Sequence, residues 1–151
     1  MLAVEGLCKR FGGFLAVNQV SFEVREGEIL GLIGPNGSGK STTFNLIAGT
    51  LQPTSGSIRF KGAEIGGLSA HQICHQGIGR TFQIPRPFRK LSLIENVALA
   101  AYYGGAGGIS RAEAKRRAEE TLGLVGLPTD AKETTNGLGA AALKKDRKSV
   151  V

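Results

Sequence analysis

The residues of this chain that could do chemistry are concentrated in one glycine-rich stretch, GPNGSGKST, which covers residues 34–42. The stretch fits the pattern GxxxxGK[ST], in which glycines, a lysine and a hydroxyl recur at fixed spacing. Gly34, Gly37 and Gly39 can adopt positive φ, so successive backbone N–H groups could point inward and surround an anion. The pattern therefore predicts a loop that binds the phosphate groups of a nucleotide.

The polar side chains at the end of this loop predict separate roles in phosphate binding. Lys40 is expected to reach the β- and γ-phosphates, Ser41 to ligate Mg²⁺, and Thr42 to donate to the α-phosphate. Apolar periodicity predicts a helix over residues 39–50, whose first N–H groups and positive dipole end would face the same anion. A triphosphate bound with Mg²⁺ is thus the predicted ligand.

Apolar runs on both sides of the loop predict the strands that position it. Residues 2–7 and 17–24 are strand-like, and residues 29–33 form a continuous apolar run typical of a strand covered on both faces. Shorter strands are expected over residues 57–61 and 78–82. The loop would then connect a buried strand to a helix, as phosphate binding requires.

Serine residues mark the beginnings of the other predicted helices. Ser69, Ser92 and Ser110 each precede a helical segment, and a serine side chain can accept a hydrogen bond from the first turn of a helix. Glutamates follow the last two serines at capping-box spacing. These helices should end near residues 76, 103 and 123, which gives an α/β fold whose strands come early and whose helices come late.

Composition limits the classes of function that the chain can have. Apolar residues make up 41% and charged residues 21%, as in globular domains, and no apolar run is long enough to span a membrane. The net charge is +7, but the basic residues are scattered, so no nucleic-acid partner is predicted. The two cysteines are far apart and predict no disulfide framework. We expect a cytoplasmic chain.

A second group of residues, outside the loop, has side chains that could bind a metal ion. His71, Cys74 and His75 have the spacing that places side chains on one face of the predicted helix. A closed zinc site needs a fourth ligand, and the sequence offers only the distant Cys8. The sequence therefore predicts no closed metal site on this helix.

Longer stretches of the chain resemble the ATP-binding subunits of ABC transporters, and within them the branched-chain amino-acid importer subfamily. The matching segments are RFGGFLAV (10–17), GLIGPNGSGKST (31–42), FN (44–45), GRTFQ (79–83) and LSLIENV (91–97). The resemblance implies a P-loop NTPase core, the N-terminal part of an ABC ATPase domain, with β-rich N-terminal strands and an appended helical subdomain. We expect one incomplete domain over residues 1–151: a core (1–83), a helical part (84–143) and a divergent tail (144–151).

The resemblance also implies roles for residues outside the loop. Phe11 would place its ring against adenine, Val17 would contact the ribose, and Gln83 would reach Mg²⁺ and the attacking water. Ser41 and Gln83 are the expected Mg²⁺ ligands. The expected ATP-binding residues are Phe11, Val17, Gly34, Pro35, Asn36, Gly37, Ser38, Gly39, Lys40, Ser41, Thr42 and Gln83.

The sequence departs from this family where hydrolysis is concerned. It has no apolar run followed by Asp-Glu (the Walker B motif), no later switch histidine, and LGAAA at residues 138–142 where the family has a signature resembling LSGGQ. No complete catalytic set is therefore expected, with Gln83 contributory, and the chain is interpreted as truncated. Without the missing strand beside residues 29–33, we expect marginal stability and a tendency to associate.

Several functions remain open at this point. The first is an ATP-binding subunit that couples ATP binding and hydrolysis to import of branched-chain or related amino acids. Such a subunit pairs with a second ATP-binding subunit and with transmembrane permease subunits on the inner face of the cell membrane. The alternatives are a truncated nucleotide-binding fragment without turnover, or another P-loop NTPase such as a GTPase or a small-molecule kinase. A GTPase would need Asn-Lys-x-Asp, which the sequence lacks.

Overall fold

The computed structural model describes residues 1–82, 87–104 and 108–130. The chain divides into two compact units, Met1–Gln76 and Gly77–Val151. The first unit holds a sheet and two short helices, and the described part of the second holds two longer helices. The domain limits predicted at residues 83 and 143 fall outside the described ranges and stay predictions.

The sheet of the first unit is antiparallel, with strand order β2-β1-β3-β4. The strands, in chain order, are β1 (Leu2–Phe11), β2 (Phe14–Val24), β3 (Ser55–Phe60) and β4 (Ala63–Glu64). The strands predicted over residues 2–7, 17–24 and 57–61 are confirmed, and the first two are longer than expected. Strands β1 and β2 form a hairpin whose short connection, Gly12–Gly13, has positive φ at Gly12, as tight hairpins require.

The core of the first unit lies against β1 and β3, the two strands that are paired on both sides. Val4 and Leu7 are almost fully buried there, and Ile58 of β3 is equally buried. Two helices add apolar side chains to this core. Helix α1 (Lys40–Ile47) buries Leu46 and Ile47, and helix α2 (Ala70–His75) buries Ile73. Helix α1 ends earlier than predicted, because the chain turns at Gly49 with φ 68°.

The second unit is built on a helix pair, α3 (Leu93–Tyr103) and α4 (Arg111–Leu124). One apolar cluster forms their contact, made of Leu93, Ile94, Val97, Ala118 and Leu122. The predicted caps are confirmed: the Ser92 side chain accepts from the N–H of Glu95, and the Ser110 side chain accepts from the N–H of Glu113. Across the described ranges, no helix is long and apolar enough to cross a membrane.

The capping box of α3 also sets the charge of its glutamate. The backbone N–H of Ser92 donates to Oε2 of Glu95 at 2.7 Å, and this hydrogen bond lowers the pKa of Glu95 from its ordinary value of 4.5. An ionised carboxylate in the first turn is also favoured by the positive end of the helix dipole. The capping box and the helix dipole therefore both favour the start of α3 at this point of the chain.

The prediction of a buried strand over residues 29–33 is wrong for the structure described. This run is not a strand, and Ile29 and Ile33 are 98% and 94% exposed. The strand predicted over residues 78–82 is likewise absent. A strand forms only where neighbouring backbone pairs with it, and none of the strands among the described residues pairs with either segment. The apolar character of a segment does not by itself show whether another strand pairs with it.

Candidate nucleotide-binding site

The candidate site begins with the unusual start of helix α1. Its N-cap is Gly39, in the left-handed conformation (φ 87°), and no side chain caps it. The first backbone bond of the helix runs from the N–H of Thr43 to the carbonyl of Gly39 at 2.8 Å. The N–H groups of Lys40, Ser41 and Thr42 therefore have no acceptor within the helix. With no acidic residue in the first turn, this helix end can receive an anion.

Lys40 connects the end of the glycine-rich loop to its beginning. Its Nζ donates to the carbonyl oxygens of Gly34 at 2.7 Å and Pro35 at 2.6 Å, and it lies 3.5 Å from Oγ of Ser38. The ammonium group is thus held inside the loop by main-chain acceptors. Oxygen atoms of a phosphate would be stronger, charged acceptors for the same donor.

The loop glycines meet two different demands. Gly37 and Gly39 have positive φ, as predicted, at 84° and 87°. Gly34 does not, so the prediction of positive φ is wrong at this position. A Cβ added at Gly34 would instead lie 2.7 Å from Oγ of Ser38, so this glycine packs closely against a side chain of the same loop.

A cavity of about 360 Å³ opens at this helix end, within the range of about 300–1,000 Å³ that is common for ligand pockets. Its lining combines aromatic rings with the end of the phosphate-binding loop. The lining residues are Phe11, Phe14, Ala16, Asn36, Gly37, Gly39, Lys40, Ser41 and Thr42. An apolar wall, helix N–H groups and a lysine are thereby brought together around one space.

Two phenylalanines form the apolar wall of the cavity. Phe11 ends β1 and Phe14 begins β2, and the two are register partners, so their side chains share one face of the hairpin. They are 47% and 66% exposed, which leaves their rings available to a ligand. Nζ of Lys9 lies 5.1 Å from the Phe11 ring centroid. Phe14 was not predicted as a site residue, although the Gly-Gly turn between the two was the signal that pairs them.

Other predicted site residues lie near the cavity without lining it. Val17 is buried, and its neighbour Ala16 forms the wall instead. A Cβ added at Gly39 would clash with the carbonyl oxygen of Ala16, so β2 and the start of α1 are in close contact. The loop residues Gly34, Pro35 and Ser38 contact Nζ of Lys40 but do not line the cavity. Gln83 and the segment over residues 138–142 lie outside the described residues.

The lining chemistry fits a magnesium nucleotide better than a bare metal ion. Ser41 contributes the hydroxyl expected of a Mg²⁺ ligand, but no lining residue carries a carboxylate. In the described part of the chain, no three or more His, Cys, Asp or Glu residues are grouped as a metal site. A cation here would depend mainly on phosphate oxygens, since Mg²⁺ prefers oxygen ligands and is often held by one or two protein groups plus phosphates.

Comparison with known proteins places this site in a wider context. The family model described as ABC transporter matches residues 17–142. The chain is 47% identical over 123 residues to the high-affinity branched-chain amino acid transport ATP-binding protein LivG of Salmonella typhimurium, covering 79% of this chain and 48% of that protein. It is 48% identical over 102 residues to BraF of Pseudomonas aeruginosa, covering 68% and 40%. The chain thus spans about half the length of the curated relatives it matches.

Solved structures give the same likeness in three dimensions. The ADP conformation of MJ1267, an ATP-binding cassette of an ABC transporter, superposes with TM-score 0.78 at 29% identity, covering 96% of this chain and 61% of that one. The dimeric post-hydrolysis state of the cassette MJ0796, bound to ADP and Pi, gives TM-score 0.80 at 27% identity, covering 97% and 66%. These likenesses confirm the predicted fold class.

Proposed function

The chain belongs to the ABC transporter family, and from this we propose that it is an ATP-binding subunit, or part of one, of an importer for branched-chain or related amino acids. The relatives LivG and BraF, which are 47% and 48% identical to this chain over the matched residues, are named high-affinity branched-chain amino acid transport ATP-binding proteins. The family resemblance inferred from the sequence is confirmed. The nucleotide, the transported solute and the partners are proposals for this chain.

One observation carries the nucleotide proposal: the uncapped start of α1, Lys40 and an aromatic pair all line a single cavity. The phosphates of ATP would accept from the N–H groups of Lys40, Ser41 and Thr42. The Lys40 ammonium would exchange its contacts with the loop carbonyls for contacts with the β- and γ-phosphates. The adenine would lie against Phe11 and Phe14, because any nucleic-acid base can stack on an aromatic side chain.

The remaining predicted residues complete this proposed site. Ser41 would hold Mg²⁺, which when bound neutralises phosphate charge. Gln83 would be the second ligand and would approach the attacking water. Asn36, Gly37 and Gly39 would line the phosphate groups, and Val17, Gly34, Pro35 and Ser38 would support the loop and the nucleoside end.

Binding and hydrolysis make different demands on these residues. Hydrolysis needs a group that orients or deprotonates water, and none of the residues that line the cavity carries a carboxylate or an imidazole. We therefore propose nucleotide binding as the step that the described residues perform. A second ATP-binding subunit and permease subunits are the proposed partners, which would place the chain on the cytoplasmic face of a membrane. The dimeric cassette among the similar structures supports the first of these partners.

Substitution of Lys40 tests the proposal directly. Lys40→Ala should weaken Mg-ATP binding about tenfold or more, because a hydrogen bond to a charged group is worth about 1.5–3 kcal/mol. Affinity is measured by calorimetric titration of the full chain, with Lys115→Ala in the second unit as a matched control that should leave it unchanged. Unchanged affinity in Lys40→Ala would refute the assigned role. A strong preference for GTP over ATP would favour another class of P-loop NTPase, since stacking on aromatic rings does not distinguish the two bases.

A further inference from the structure

Two histidines on helix α2 form a pair that the nucleotide site does not use. His71 and His75 are one helical turn apart, and both are exposed. Their ring centroids are 4.5 Å apart, with the ring planes at 88°. Side chains four residues apart on a helix face the same direction, and here the two imidazoles are already in contact.

The backbone beneath this pair is fixed at both its start and its buried face. The N–H of Ser69 donates to Oε1 of Gln72 at 2.9 Å, and the N–H of Gln72 donates to Oγ of Ser69 at 3.4 Å, which closes a capping box. Ile73, midway between the histidines, is almost fully buried. The two rings therefore stand on an anchored turn, and bringing both nitrogens to one point needs only side-chain rotation.

From this geometry we propose that His71 and His75 together form a two-nitrogen site for a divalent transition metal ion. A neutral imidazole offers a nitrogen lone pair and is the commonest metal ligand among side chains. Imidazole suits Ni²⁺, Cu²⁺ and Zn²⁺, whereas Mg²⁺ and Ca²⁺ prefer oxygen. The site would thus select metals that the nucleotide site does not.

The proposed site is open rather than closed. In the described ranges, no set of three or more His, Cys, Asp or Glu residues could hold a metal together, so the half-buried Cys74 does not join the pair. Water or an external ligand would complete the coordination sphere. This differs from the closed zinc site that the sequence argued against, which needs four protein ligands.

Titration of the full chain with Ni²⁺ alone tests the proposal, because it separates chelation from binding to one histidine. His71→Ala and His75→Ala should each weaken Ni²⁺ binding by at least about tenfold, since two linked ligands bind far more tightly than either alone. A spacing variant, His75→Gln combined with Gln76→His, keeps two histidines but moves them five residues apart. It should bind as weakly as the single variants.

Control variants show which side chains bind the Ni²⁺ ion. Equal Ni²⁺ affinity in the original chain and the spacing variant would overturn the proposal, because any two surface histidines would then suffice. Cys74→Ser should leave the affinity unchanged; a loss would show that the thiol, not the imidazole pair, holds the metal. Circular dichroism should show equal helix content in every variant, and His71→Gln replaces His71→Ala if the alanine variant does not fold.

Discussion

At the scale of single residues, the conformation of the phosphate-binding loop depends on two glycines that look alike in sequence. Gly37 and Gly39 have nearly the same positive φ. A Cβ added at Gly37 would meet nothing within 4 Å, whereas one added at Gly39 would clash with the carbonyl of Ala16. Only Gly39 therefore combines backbone strain with a close backbone contact.

This contrast predicts unequal effects of the same substitution. Gly37→Ala should destabilise the chain by about 1–2 kcal/mol, the usual cost of a left-handed non-glycine residue. Gly39→Ala should cost about 1–3 kcal/mol more, because β2 must also move away from α1. Urea unfolding of the two variants measures the difference. Equal losses would show that the contact with Ala16 is not a constraint.

Phe14 gives a second prediction, at the nucleoside end of the cavity. Phe14→Ala should weaken ATP binding about fivefold or more, since loss of base stacking costs about 1–3 kcal/mol. Binding of inorganic tripolyphosphate, which has no base, should be unchanged. Competition titration of both ligands gives the two affinities.

Two other phenylalanines are compared in this test: Phe88 as a control outside the cavity, and Phe11 as the second ring that lines it. Phe88→Ala, in the second unit, removes an equally exposed ring and should affect neither ligand. Phe11→Ala should resemble Phe14→Ala. An equal loss for ATP and tripolyphosphate would mean that Phe14 supports the fold rather than the base, while Lys40→Ala tests the phosphate half separately.

At the scale of elements, helix α4 carries a charge network in its first turns. The carboxylate of Glu113 accepts from Nη2 of Arg116 and from Nε of Arg117, each at 2.8 Å, and Arg116 also pairs with Glu120. The hydrogen bonds from Arg116 and then Arg117 lower the pKa of Glu113 from 4.5 to about 2. The ionised form is thus favoured in the folded helix.

The lowered pKa fixes the sign of a pH effect. The stabilisation is fully present above the unfolded value of 4.5 and is lost as the pH falls toward about 2. Glu113→Gln should therefore reduce the helical signal above pH 4.5 and flatten its decline below that pH. Circular dichroism across this range measures both. Glu119→Gln removes a looser contact, 3.9 Å from Lys115, and should change the profile much less.

What the sequence predicted at this scale depends on the range of the interactions. The caps at Ser69, Ser92 and Ser110 involve residues three positions apart, so the pattern contains the whole interaction. The apolar run over residues 29–33 looked like a buried strand, but pairing and burial depend on distant backbone. The pairing of Phe14 with Phe11 is different, because it spans only three positions. Its signal, the Gly-Gly turn, was present in the sequence and was not used. Contacts between residues close in the sequence could thus be predicted, and contacts between distant residues could not.

At the scale of the whole molecule, the apolar run over residues 29–33 is the feature with the largest consequence. Ile29 and Ile33 are almost fully exposed, and Leu30 is also exposed. Exposed apolar side chains that are adjacent in the chain form a surface to which another chain can bind. We therefore expect concentration-dependent association of the chain.

Charged substitutions in this run should reduce that association. Ile29→Lys combined with Ile33→Lys should lower the association constant about tenfold or more, since burying one isoleucine is worth about 1.5–3 kcal/mol. Sedimentation over a range of protein concentrations measures the change. Leu124→Lys, at an exposed position of the second unit, should leave association unchanged. A monomer at every concentration, with or without the lysines, would contradict the expectation.

The glycine at the beginning of α1 has a thermodynamic consequence as well. Helices α2, α3 and α4 each begin with a serine whose side chain accepts from one N–H of the first turn, whereas α1 begins with Gly39, which has no side chain to do so. An anion that fills this gap acts as an external cap. The melting temperature should consequently rise with the logarithm of nucleotide concentration, with stabilisation of about 2.7 kcal/mol at one hundred times the dissociation constant.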